Sequence, residues 1–251
     1  GGVGLVALNL TKALTALGHE VILASPQEPQ KPLQIAKFYR LRNVGLVDPF
    51  YASAFTLFNK GIIEKIVDIE RPDIILTHGP LIMALSSILR KSYTAVSVIH
   101  GTYANEVKYM WRHPIFGFER VRYLASIYAT FRHDMALYSL MTRRYSGAYL
   151  VAVSKNTRKE LIESGVLGNK VFSILNGVDK EIFKPMNKDY AKSIVEELFR
   201  IKLKDKVILH VNPGPIKGTH MLIKVAAMLK KIYGNNFTVL IAGNLGPRTY
   251  R

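Results

Sequence analysis

Apolar positions from Leu5 to Leu17 recur every three to four residues, which predicts a helix that Gly18 ends. Glu20–Ala24 is a short apolar run closed by Ser25-Pro26 and predicts a buried strand. Residues 27–34 form a polar, proline-containing loop, and the alternation in Lys37–Arg42 predicts an edge-type strand. A helix follows over Ala52–Ile69 and stops at Arg71-Pro72. Asp73–Thr77 predicts a strand, His78-Gly79-Pro80 a turn into a helix that runs to Lys91, and Thr94–Ile99 a strand that ends at His100-Gly101. Residues 104–145 read as mostly helical with a break near Pro114 and Gly117. Ala148–Val153 then reads as a strand, and Ser154 caps a helix that runs to Ser164. The last stretch predicts strands over Lys170–Leu175, Lys206–Val211 and Phe237–Ala242, with helices over Tyr190–Arg200 and Thr219–Tyr233.

This alternation predicts an α/β fold in which parallel sheets carry helices on both faces, and continuous apolar strands are what such covered sheets require. The best boundary lies at Asn176–Pro185. It separates a first domain, residues 1–180, from the start of a second, residues 181–251. Two strands cannot close a core, so the second domain is expected to be truncated. The glycine-rich turn at residue 1 has no strand before it, which adds to the expectation that the chain is a fragment.

Composition narrows the function. The 251 residues contain 49% hydrophobic and 21% charged residues, as in ordinary globular proteins, and no cysteine. That excludes a disulfide scaffold, a thiolate zinc site and a cysteine nucleophile, and fits a reducing, cytoplasmic compartment. No uncharged apolar run is long enough to span a bilayer.

Three sites carry candidate chemistry. Gly1, Gly2 and Gly4 open the helix to Leu17, where glycines let a phosphate approach free N–H groups at a helix N-terminus. Gly2, Gly4 and Ala7 also match the dinucleotide fingerprint G-x-G-x-x-A. That motif needs an acid at the tip of the next strand, and Ala24-Ser25-Pro26-Gln27 has none. An NAD(P)-binding oxidoreductase is therefore the alternative reading, and a plain tight turn another. His100 closes a strand at the edge where open α/β sheets bind ligands, and its imidazole can donate a hydrogen bond to a hydroxyl or stabilise developing charge. His78-Gly79 is a second such strand end, and either histidine can instead serve packing alone. In the turn Asn212-Pro-Gly214-Pro-Ile-Lys217-Gly218, a lysine stands at a helix start, an arrangement suited to a diphosphate, although by itself a Lys-Gly there also reads as a plain solvated lysine. Walker A does not occur.

Taken in order, Gly-Gly-Val-Gly4, Gly18-His-Glu-Val21, Ile99-His-Gly101, Val151-Ala-Val-Ser154, Ile174-Leu-Asn-Gly-Val-Asp179 with Phe183-Lys-Pro185, and Lys217-Gly218 resemble the retaining GT-B glycosyltransferases. This large group includes sucrose synthase and the phosphatidylinositol mannosyltransferases, and the resemblance covers nearly the whole chain. It implies two Rossmann-like domains facing each other across a cleft. A nucleotide-diphosphate sugar donor would be bound mainly by the second domain, and a glycan or lipid-linked acceptor by the first. It places Gly1, Gly2 and Gly4 near the diphosphate and sugar, His100 at the sugar as the catalytic residue and Ser154 near the cleft. Gly214, Lys217 and Gly218 would hold the donor phosphates, and Asn176, Gly177 and Asp179 would form the hinge. Two departures stand out. The group usually has Gly-Arg before the Lys-Gly, and here Asn212-Pro213-Gly214 supplies no arginine. The group's pair of glutamates eight apart is also not reached by residue 251. The fragment alone is thus expected to be inactive, and a non-catalytic sugar-nucleotide-binding module is a further alternative.

Loss of a nucleotide diphosphate mainly requires positive charge and N–H donors at the phosphates. No D-x-D occurs, and the nearest sequence, Asp68-Ile-Glu70, reads as a helix end, so no metal or other cofactor is expected. The net charge of +17 has three readings. No motif supports specific nucleic-acid binding. An acidic remainder of a longer chain would offset the charge. The third reading is association with an anionic membrane surface, for which Lys108, Trp111, Arg112, Arg120, Arg122, Arg132, Arg143 and Arg144 are candidates.

Overall fold

The computed structural model describes residues 2–29, 33–44, 51–79, 86–112, 118–214 and 217–243. Of residues 51–53, 109–112, 118–120, 122 and 123 only the backbone is described. The chain divides into two compact units, residues 1–179 and 180–251.

In the first unit α1 (Gly2–Ala16) leads through Gly18, at φ 89°, to β1 (Ile22–Ser25). A positive φ is cheap only for glycine, so the residue that stops the helix also sets the turn. β1 pairs in parallel with β2 (Lys37–Arg40). Then come α2 (Tyr51–Glu70), β3 (Ile74–His78), α3 (Ser86–Arg90), β4 (Thr94–Ile99), α4 (Ala104–Arg112) and α5 (Phe118–Arg144). The unit closes with β5 (Ala148–Ala152), α6 (Lys155–Glu163) and β6 (Val171–Ser173). β3, β4, β5 and β6 form a parallel four-stranded sheet in that order.

The core sits on this sheet. Ala95, Ala148 and Ala152 are fully buried, and their small side chains leave room for Met135, Tyr138 and Met141 at helical spacing on α5. Leu150 and Leu161 are also fully buried, each stabilising the fold by about 1.5–3 kcal/mol. α2 is fastened to β2 by polar contacts. Lys37 Nζ donates to Glu70 at 2.8 Å, and Tyr39 Oη bonds the same carboxylate. The fully buried Asn59 accepts from Arg42 N at 2.7 Å and donates to Arg42 O at 3.1 Å.

The second unit contains α7 (Lys188–Phe199), β7 (Lys206–Val211), α8 (Thr219–Tyr233) and β8 (Phe237–Ala242). β7 and β8 pair in parallel from Lys206↔Phe237 to Val211↔Ala242. Two strands enclose little, and Leu209 and Val211 remain 60% and 61% exposed.

The sequence reading is corrected in three places. First, the parallel strands of the expected first domain, residues 1–180, are hydrogen-bonded as two separate sets, β1–β2 and β3–β6, among the described residues. Second, the strand expected over Lys170–Leu175 is shorter: Lys170 closes a 3-10 turn, and pairing with β5 ends at Ala152↔Ser173. Third, Gly2 and Gly4 lie inside a helix rather than in a turn that precedes one. The break expected near Pro114 and Gly117, and the turn through Pro80, lie outside the described residues. No helix among the described residues is long and apolar enough to cross a membrane.

Candidate functional site

Because β3, β4 and β5 are parallel and in register, their carboxyl ends lie side by side. His78 is the last residue of β3, His100 follows β4, and Ser154 follows β5. Thr77, one residue before His78, and Ser97, three before His100, are buried, and their hydroxyls meet at 2.6 Å and tie β3 to β4. At the edge, His78 Nδ1 lies 3.0 Å from His100 Nε2, and the two rings stack with centroids 5.3 Å apart and planes 19° apart. Burial pushes both imidazoles below their ordinary pKa, and His100 pushes His78 down further by repelling its charged form. Both rings are thereby held neutral near pH 7, so each carries one ring N–H and one ring acceptor.

The segment after His100 is anchored from α6. Glu160 Oε1 accepts from Asn105 Nδ2 and Asn156 Nδ2, each at 2.6 Å, and Glu160 Oε2 accepts from the Thr102 hydroxyl. Thr102 Oγ1 in turn accepts from Ala104 N at 3.3 Å, at the start of α4. One carboxylate thus fixes how the chain leaves the His100 strand. Gly101 faces open space where a Cβ would lie, so nothing internal demands glycine there.

Ser154 caps α6: its Oγ accepts from Thr157 N at 3.0 Å and lies 2.9 Å from Thr157 Oγ1. Its side chain is therefore occupied by the helix it starts. Gly2 and Gly4 also face open space, while Gly1 lies outside the described residues. α1 reaches β1 through the short connection 17–21, so its N-terminus falls on the side of the strands' carboxyl ends.

In the second unit the Lys217 loop is locked from below. Thr219 is 1% exposed. Its Oγ1 donates to Gly214 O at 3.0 Å, accepts from Gly214 N at 2.8 Å and lies 2.8 Å from His210 Nε2. A hydroxyl has one hydrogen, so when it goes to Gly214 O it is His210 Nε2–H that donates to Thr219. Gly218 sits at φ 73° and begins α8. Gly243 is required by contact: a Cβ there would stand 2.6 Å from Pro213 Cδ. On this frame Lys217 is exposed just before α8, where its ammonium adds to the positive end of the helix dipole.

The structure thus brings His100 beside His78 and places Ser154 at the next strand end. Lys217, Gly214 and Gly218 share one loop of the other unit. Asn176, Gly177 and Asp179 lie on the exposed segment before the unit boundary. Glu160, His210 and Thr219 were not legible as site residues. The signals were present, in Asn156 and Glu160 one helical turn apart and in the Thr after Gly218, but their partners lie far away in sequence. Of the basic candidates for an anionic surface, Arg143 donates to Gly165 O at 3.0 Å and Arg144 lies over the Tyr145 ring. Lys108 and Arg132 are exposed, and the side chains of Trp111, Arg112, Arg120 and Arg122 lie outside the described residues. Asp68 and Glu70 are engaged by Lys91 and Lys37. No cluster of three or more metal-ligating side chains occurs among the described residues.

Comparison with known proteins gives a family and a fold. The sequence profile of Glycosyltransferase Family 4 matches residues 1–182. No curated protein matches the chain. A glycosyltransferase structure from Rickettsia africae superposes with a TM-score of 0.63 at 19% identity, covering 99% of this chain and 58% of that one. Sucrose-phosphate synthase from Thermosynechococcus elongatus gives 0.62 at 12%, covering 97% and 66%. Anabaena HepE in complex with UDP gives 0.59 at 14%, covering 96% and 57%. The chain therefore spans about three fifths of the length of these solved structures, and it shares their α/β fold.

Proposed function

We propose, from the premise that this chain belongs to Glycosyltransferase Family 4, that it serves the transfer of a sugar from a nucleoside-diphosphate sugar to an acceptor, with retention of configuration at the sugar. The observation that carries the donor assignment is the Lys217 loop. Lys217 is exposed just before α8, and the buried Thr219 hydroxyl ties the start of that helix to Gly214. In the reaction the bond from the sugar's anomeric carbon to the diphosphate breaks and a bond to the acceptor oxygen forms. The acceptor's proton leaves with the diphosphate. Lys217 and the N–H groups at α8 stabilise the charge that develops on the leaving group. His100, neutral and half-buried at the strand edge, hydrogen-bonds the transferred sugar. A Cβ at Gly2 or Gly4 would face open space near the N-terminus of α1. The UDP complex of HepE supports a nucleotide donor.

Titration with UDP, GDP and NAD, combined with a sugar-transfer assay, tests the reading. Lys217→Ala is expected to weaken diphosphate binding roughly 10- to 150-fold, the value of a charge-assisted contact. Tight NAD binding without a response to either nucleotide would overturn the proposal. So would hydrolysis or isomerisation of the sugar nucleotide without transfer.

A further inference from the structure

We propose that His78 is the positioning residue of His100: the bond between His78 Nδ1 and His100 Nε2 holds the two rings in the same tautomer, so that whether His100 Nδ1 accepts or donates towards the sugar is tied to the protonation of His78. This rests on the assignment of His100 to the sugar made above.

The logic is a count of hydrogens. A neutral imidazole has one N–H, and only one hydrogen fits between two nitrogens 3.0 Å apart. If that hydrogen belongs to His100 Nε2, then His100 Nδ1 is bare, and His78 must carry its hydrogen on Nε2. If it belongs to His78 Nδ1, then His78 Nε2 is bare and His100 carries its hydrogen on Nδ1. The two rings are therefore both Nε2–H or both Nδ1–H, and their outer nitrogens always have opposite character. A ligand hydroxyl that donates to His100 Nδ1 selects the first state, and one that accepts from it selects the second. The geometry that enforces this is rigid. β3 and β4 are in register through Thr77↔Ser97 and His78↔Val98, and the buried Thr77–Ser97 bond ties the two strands together next to His78. Gly79, at φ 88°, turns the chain immediately after His78 while its N–H donates to Val98 O at 3.0 Å. A histidine used only for packing would have its nitrogens satisfied by backbone groups. Here each ring's partner is the other imidazole, and neither outer nitrogen is bonded among the described residues. Among the described residues, burial and, for His78, the neighbouring His100 are what act on the two rings.

The test has two readouts. Long-range proton–nitrogen NMR of the imidazoles, on the chain itself, is expected to show His78 and His100 in the same tautomer. His78→Phe keeps a ring but no nitrogen and should change the His100 nitrogen shifts. His78→Asn, whose amide can stand where Nδ1 stood, should restore them. In a transfer assay on the whole protein His78→Phe should lower kcat roughly three- to tenfold, the loss of one hydrogen bond, with UDP affinity unchanged. His78→Asn should recover most of it, and thermal melts control for folding. Opposite tautomers in the wild type, or His100 shifts that ignore both variants, would overturn the inference. Unchanged kcat in His78→Phe would overturn it too, while leaving sugar transfer intact. Coupled tautomers in a chain that binds no sugar nucleotide would instead strike the proposed function.

Discussion

Replacing Thr219 by valine tests whether the donor loop is shaped from beneath. The change keeps the side chain's volume and β-branching and removes only the hydroxyl. In the structure that hydroxyl serves three groups, Gly214 N, Gly214 O and His210 Nε2, at 2.8–3.0 Å, from a residue that is 1% exposed. Each bond contributes about 0.5–1.5 kcal/mol net, and Gly214 and His210 are only half-buried, so water replaces part of the loss. The expected cost is roughly 2–3 kcal/mol, localised to the loop. Hydrogen exchange reads this directly. The Gly214 amide, whose acceptor is the missing hydroxyl, should exchange about 30- to 150-fold faster. Amides in the middle of β7 should change little. UDP binding should weaken along with it, because Lys217 would no longer be held in one place. Thr219→Ser keeps the oxygen and should stay close to the wild type. Wild-type exchange at Gly214 in the valine variant would refute the reasoning, since the loop would then hold its shape without the bond.

Two further outcomes follow from the first unit. Ser154→Ala removes the cap of α6 and should cost about 1 kcal/mol in urea unfolding, with melting of the Lys155–Glu163 helix advanced and diphosphate affinity unchanged. The histidine pair makes stability fall on acidification. Both rings have folded pKa values below the unfolded value of about 6.5, so the unfolded chain takes up protons first and stability declines as pH drops through that value. Denaturant midpoints across that range check this, and His78→Asn should flatten the dependence.

Local pattern was enough for much of this protein. Thr94–Ile99, Lys206–Val211, Thr219–Tyr233 and Phe237–Ala242 have the same bounds in the sequence reading and in the structure. Continuous apolar runs flanked by Gly, Pro and polar residues leave a covered parallel strand few alternatives, and Ser154 announces its helix because a cap acts over three residues. The strand-end positions of His78, His100 and Lys217 were legible for the same reason. What the sequence could not contain is who meets whom across the sheet. That β1–β2 and β3–β6 bond as separate sets depends on ladder pairing between distant segments. That His78 is the partner of His100, 22 positions away, depends on the register of two parallel strands. Glu160 reaches Thr102 and Asn105 across more than fifty residues, and Thr219 closes on Gly214 and His210 only once α8 is docked. Propensity and capping act within a few residues along the chain and can be read there. Hydrogen-bond partners at a site are set by tertiary packing, so only the folded chain decided which residue positions the histidine and which holds the loop of the lysine.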